Sequence, residues 1–153
     1  MDNYIEEQDV TIKPEYMAVY GALRTGYGNN VYLEDEQSMG MGLLHGFKLY
    51  TMDAVGSHRH DSIPFMCADD SGADVAVEVF TAPDDLRAVD SLEGHPAWYR
   101  RVLVNVKLAT GTIVPAWSYL FSEDLRQDYE ARNSCNPVPT GDWTKPVLLE
   151  GVG

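Results

Sequence analysis

The sequence is short of cysteine, of positive charge and of long apolar runs, and each shortage closes off a class of protein. Cys67 and Cys135 are the only cysteines, too few and too scattered for a disulfide framework or a four-thiolate zinc site, so a reducing compartment fits. Lysine and arginine number 11 against 24 acidic residues, a formal charge of −13. The surrounding field repels phosphate backbones and anionic membranes, which argues against nucleic acid as a partner. Acidity alone says no more than solubility and names no substrate. No stretch approaches the roughly 18 uninterrupted apolar residues of a membrane span. The opening "MDNYIEEQDVTIKPEYM" carries acids where a signal peptide has a basic start and an apolar core. The expectation is a cytoplasmic protein with no membrane partner.

What is present is globular. Apolar residues make up 44% and charged residues 23% of 153 positions, enough for one core that buries about 70% of the unfolded surface. Residues 1–15 are polar, acidic and close on Pro14, so they read as a loose N-terminal arm with at most a short strand at "VTI". Residues 16–153 read as a single domain, with a tail from about residue 122 that contains Pro and Gly and a possible helical turn in "SEDLRQDYEAR". Four strands are expected before any strong helix: "YMAVY", one longer strand over residues 42–52, "IPFMCAD", and the alternating "DVAVEVFTA". The marked helix is "APDDLRAVDSLEG", with Pro83 in its first turn, Asp84 and Asp85 near its positive end, Leu86, Val89 and Leu92 on one face, and Gly94 as its stop. Two alternating runs joined by "ATGT" then read as a β-hairpin. Strands outnumber helices without strict alternation, which predicts an α+β domain built on a curled sheet or small barrel.

Two local features point to chemistry. "VYGALRTGYGNN" follows the first strand of the domain, and its glycines allow successive N–H groups to converge on one point as an anion-binding nest. It has neither the Gly-Lys-Ser/Thr ending of a phosphate loop nor the glycine spacing of a dinucleotide site, and an ordinary loop remains the alternative. Glu93 lies in the last turn of the marked helix, where the macrodipole and the like charge of Asp90 both disfavour a carboxylate. Desolvation against the sheet would add to both and raise its pKa, as suits a group that takes and returns a proton. A solvated helix-end glutamate is the bland reading.

Together these segments carry a family resemblance. "VYGALRTG" resembles the Tyr-Gly-Ser/Thr-Leu-x-x-Gly loop of the gamma-glutamylcyclotransferase-like (AIG2-like, or gamma-glutamylamine cyclotransferase) family. "VDSLEGHPAWYRRVLVNV" resembles its Asp-x-x-Glu-Gly-x-Pro-x-x-Tyr-x-Arg segment, and "PAWSYLF" its last core strand. Matching segments run from about Met17 to Phe121, with the two motifs about seventy residues apart. The resemblance implies a small mixed β-barrel flanked by a few helices. It also implies an enzyme of the lyase or acyltransferase kind that turns the α-amine of a small gamma-glutamyl substrate onto its γ-carbonyl, releasing 5-oxoproline and an amine with no metal or cofactor.

By that resemblance Glu93 is the acid/base, and the backbone around Gly21, Ala22 and Leu23 receives substrate oxygens. Ala22 stands where the family commonly carries Ser or Thr, and a grip made of backbone amides does not need that hydroxyl. Tyr20 and Tyr99 either line the pocket and orient Glu93 or are buried tyrosines with satisfied hydroxyls. Arg24 reads as a solvated loop arginine or a partner for a substrate carboxylate, and Arg101 as a scaffold partner of Asp90. His95 is a second titrating group near the pocket or an exposed loop histidine. His58 and His60 in "SHRHD" lack further ligands of suitable spacing for a metal site. Two other readings stand beside the enzyme: a non-catalytic binding domain for a small anionic ligand, and a scaffold that docks a partner through the acidic arm and the Trp143-containing tail.

Overall fold

Alternating valines build the centre of the molecule. The computed structural model describes residues 3–53, 62–69, 71–131 and 135–143. Its elements are β1 (Tyr4–Glu6), β2 (Tyr16–Val19), β3 (Ser38–His45), β4 (Phe47–Asp53), β5 (Ser62–Ala68), β6 (Asp74–Thr81), α1 (Arg87–Glu93), β7 (Tyr99–Leu108), β8 (Ile113–Phe121), α2 (Glu123–Ala131) and β9 (Cys135–Pro137). Along β6, Val75, Val77 and Val79 are fully buried, and along β7 so are Val102 and Val106, with Val104 nearly so. That period of two places one row of each strand inside.

Five strands close on themselves in the order β7-β3-β6-β2-β8, with β8 returning to β7. All neighbours are antiparallel except β2 and β8, which run parallel with Tyr16 opposite Ala116. The fold is thus the small mixed barrel expected, flanked by few helices. A second sheet, β5-β4-β9, packs on it through Phe65, whose ring lies 4.5 Å from Phe121 of β8 and 5.1 Å from Tyr50 of β4. No helix among the described residues is long and apolar enough to cross a membrane.

Three expectations about elements change. Six strands precede α1 where four were expected: β1 is added, and the run read as one strand over residues 42–52 is two, broken at Gly46, whose φ of +90° admits little but glycine. The short strand of the N-terminal segment lies at Tyr4–Glu6 and not at "VTI", because Val102–Val104 on the edge of β7 supply its hydrogen-bonding partners. The marked helix opens at Arg87, past Pro83 and Asp84, since the Asp85 carboxylate accepts the Arg87 backbone N–H at 3.0 Å and also holds its guanidinium. Its stop is as expected: Gly94 takes φ +67°, and the His95 N–H donates back to Asp90 O at 2.9 Å.

Phe65→Ala removes the ring that joins the second sheet to the barrel. It should cost about 3–5 kcal/mol of stability, read as a lower urea midpoint with little change in the slope.

Candidate active site

The loop after β2 is fastened on three sides. Gly21 packs so closely on Pro64 that an added Cβ would stand 2.6 Å from the ring, so its role is close approach. The Glu78 carboxylate accepts the Thr25 N–H at 2.8 Å, the Thr25 hydroxyl at 2.7 Å and the Ser38 hydroxyl at 2.7 Å. Burial pushes this carboxyl up, but those hydrogen bonds outweigh it and hold Glu78 below the usual carboxylate range. Arg24 is buried and pairs with Asp142 at 3.0 Å, so it is neither a solvated loop arginine nor turned to a ligand. Asn29 and Asn30 complete the frame, the first donating its N–H to Ala22 O and the second its side-chain amide to Leu23 O. Among the described residues, the N–H groups of Gly21, Ala22 and Leu23 find no acceptor.

Opposite stands the end of α1, held by Asp90. Its carboxylate accepts two bonds from the Arg101 guanidinium, at 2.9 and 3.1 Å, and one from the Tyr119 hydroxyl at 2.6 Å. Burial first, and then that bond to Asp90, push the Tyr119 hydroxyl well above its ordinary range. Arg101 lies over the Trp117 ring at 4.4 Å and also reaches Glu7 at 2.6 Å. His95 is half-buried. Its Nδ1 accepts the Arg101 N–H at 2.9 Å, and its Nε2 meets Glu7 Oε1 at 3.0 Å. His95 therefore braces the helix end against the N-terminal segment, and it is absent from the lining of the cavity.

Between loop and helix end lies a cavity of about 530 Å³. Tyr20, Gly21, Ala22, Leu23, Glu93 and Tyr99, all singled out from sequence, line it together. Both tyrosines also have structural bonds, Tyr20 donating to Tyr119 O at 2.9 Å and Tyr99 to Pro64 O at 2.8 Å. The Glu93 carboxyl has no hydrogen-bond or ion-pair partner among the described residues, and burial pushes it up to about 7. Burial is the cause of that rise, and the charge of Asp90 is answered by Arg101 and Tyr119.

Sequence reasoning missed Tyr119, Leu92, Trp98 and Trp143 as lining residues, and Glu78 as the loop's anchor. Glu78 carried a signal, a carboxylate in the middle of the apolar run from Val75 to Phe80. His58, His60 and the tail beyond Trp143 lie outside the described residues. Among the described residues, no group of His, Cys, Asp or Glu is placed to hold a metal ion.

A closed mixed barrel with a glycine loop facing a helix-end glutamate across a cavity defines a class of small α+β proteins. The chain belongs to the gamma-glutamyl cyclotransferase, AIG2-like family, whose model matches residues 17–145. It is 32% identical over 111 residues, covering 71% of this chain and 86% of the relative, to a Methanocaldococcus jannaschii protein provisionally named a gamma-glutamylcyclotransferase. Its fold resembles that of an AIG2-like protein from Mus musculus, with TM-score 0.57 and 23% identity over 72% of this chain and 81% of that one. It also resembles an uncharacterised Pyrococcus horikoshii protein, with TM-score 0.60 and 20% identity over 90% and 96% of the two chains.

A carboxyl raised to about 7 when folded, from 4.5 as its ordinary value, binds its proton more tightly in the folded state. Its cost to stability is therefore absent below about pH 4.5, grows between the two values and is complete above about 7. Glu93→Gln should accordingly raise stability at pH 8 by up to about 3 kcal/mol and change it little at pH 4, measured by denaturant titration at both values.

Proposed function

We propose that this chain is a gamma-glutamylcyclotransferase that cyclises a gamma-glutamyl amide to 5-oxoproline and frees the amine, with Glu93 as the general acid/base. The observation that carries the reading is a half-buried carboxyl with no partner among the described residues, in a cavity also lined by Gly21, Ala22 and Leu23, whose N–H groups find no acceptor among the described residues.

Nucleophile and electrophile belong to one molecule, so much of the barrier is a matter of conformation. The N–H groups of Gly21, Ala22 and Leu23 receive the substrate's carboxylate and the oxygen of the γ-carbonyl as it gains charge, which is work suited to fixed amides. Tyr20 and Tyr99 wall the glutamyl half and keep bulk water from it.

The substrate enters with a protonated α-amine. Glu93 as carboxylate takes one proton, and the freed nitrogen attacks the carbonyl carbon of the γ-amide to form a five-membered ring. The carbon–nitrogen bond to the departing amine then breaks as Glu93 returns the proton to that nitrogen. The attacking nitrogen loses two protons in all and the departing one gains two, the second by way of solvent, so the reaction balances as lactam plus ammonium. A group near pKa 7 suits both halves of this exchange at neutral pH.

Incubation with gamma-glutamyl amides should release 5-oxoproline, and Glu93→Gln should lower kcat by ~10²–10⁴-fold with the fold retained. In the parent chain kcat/KM should fall as pH drops below about 7, the value toward which burial moves Glu93, because the carboxylate form must accept the first proton. Full activity of a folded Glu93→Gln variant would remove Glu93 from the chemistry. Absence of release from every amide, with 5-oxoproline still raising Tm, would leave a binding domain.

A further inference from the structure

Three of the larger exposed apolar side chains of this protein meet at one place. Ile63 is 38% exposed, Leu92 36% and Trp98 49%, and all three line the cavity that holds Glu93. Apolar groups left in water gain nothing for folding, and a cluster of them at a cavity mouth marks a surface that something else covers. Trp98 is also backed from within, its ring centroid 6.5 Å from that of Phe121, so the exposed indole sits on a packed base.

Resting on the proposed cyclisation, the position of this cluster says which half of a substrate it meets. The glutamyl half faces Gly21, Ala22 and Leu23, whereas the departing nitrogen must come within hydrogen-bond reach of the Glu93 carboxyl. Leu92 is the residue next to Glu93, and Trp98 packs over the following turn, with its Cδ1 3.2 Å from where a Cβ on Gly94 would stand. A substituent on that nitrogen thus emerges between Leu92 and Trp98, with Ile63 on the β5 side.

Charge narrows its chemistry. Among the described lining residues Glu93 is the one acidic group and no cation is present, while Arg24 is already held by Asp142. A carboxylate on the departing amine would sit beside Glu93 in a chain of charge −13, with no described cation to answer it. A second ammonium there would hold Glu93 ionised and oppose return of the proton. We propose that Ile63, Leu92 and Trp98 form the leaving-group subsite, and that it selects gamma-glutamyl conjugates of amines bearing an uncharged alkyl or aryl group.

The test uses gamma-L-glutamyl conjugates of methylamine, n-butylamine, benzylamine, glycine and the lysine ε-amine, scored by 5-oxoproline release. The butyl and benzyl conjugates should exceed the glycine and lysine conjugates in kcat/KM by about tenfold or more. Trp98→Ala should shrink the benzyl-to-methyl ratio by about tenfold, chiefly through KM. Preference for the glycine or lysine conjugate, or a Trp98→Ala ratio equal to that of the parent, overturns the subsite while leaving the cyclisation standing. Turnover of none of the five overturns the cyclisation instead. The subsite is then read from calorimetric binding of the same amides to the parent chain, where benzyl and methyl conjugates of equal affinity overturn it as well.

Discussion

The pairing of Asp90 with Arg101 is the contact on which the site's arrangement turns. It joins the last turn of α1 to β7, takes the Tyr119 hydroxyl from β8 and, through Glu7, draws in the N-terminal segment. A buried guanidinium with two fork bonds to one carboxylate is well satisfied, while either partner alone would be an expensive orphan. The electrostatic consequence matters as much as the mechanical one. With Asp90 answered by Arg101, the two carboxylates of one short helix stop competing, and Glu93 is left as the group whose charge no described residue compensates.

Glu78 and Glu93 show how one small fold treats two carboxylates in opposite ways. Both are largely removed from water. Glu78 receives three hydrogen bonds and stays ionised below its ordinary value, where its charge orients the loop. Glu93 receives none among the described residues and is pushed up to about 7. Such divergence separates a carboxylate that holds structure from one able to exchange a proton.

Features legible in the sequence were those set by neighbours along the chain. The hairpin across "ATGT", the period of β6 and the stop at Gly94 are local, and each stands where its residues put it. Glu93 and the glycine loop were legible as types of site, because a carboxylate at a helix end and a glycine-rich turn after a strand are local oddities. Long-range closure was not. Nothing near residue 24 announces Asp142, and nothing near Tyr4 announces Val102–Val104 as partners. The division of residues 42–52 at Gly46 depends on the chain turning from the barrel to the second sheet, a choice made by packing. The partners that answer Asp90, Arg101 of β7 and Tyr119 of β8, are long-range contacts too, so the like charge expected beside Glu93 could not be weighed from sequence.

An acidic protein that grips an anionic substrate looks at first like a contradiction, and the proposed site resolves it by distance. The net charge acts through solvent, where salt screens it away beyond about 8 Å, whereas fixed N–H groups act at contact inside a partly dry cavity. Amides also do something that an arginine in the same place could not. A guanidinium facing the cavity would grip the substrate carboxylate more strongly, but it would also favour the ionised form of Glu93 and pull its pKa back toward the ordinary range. The tie between Arg24 and Asp142 keeps the loop's cation occupied elsewhere. Under the proposed reaction, the weaker grip of three amides is what leaves Glu93 able both to take a proton and to give it back.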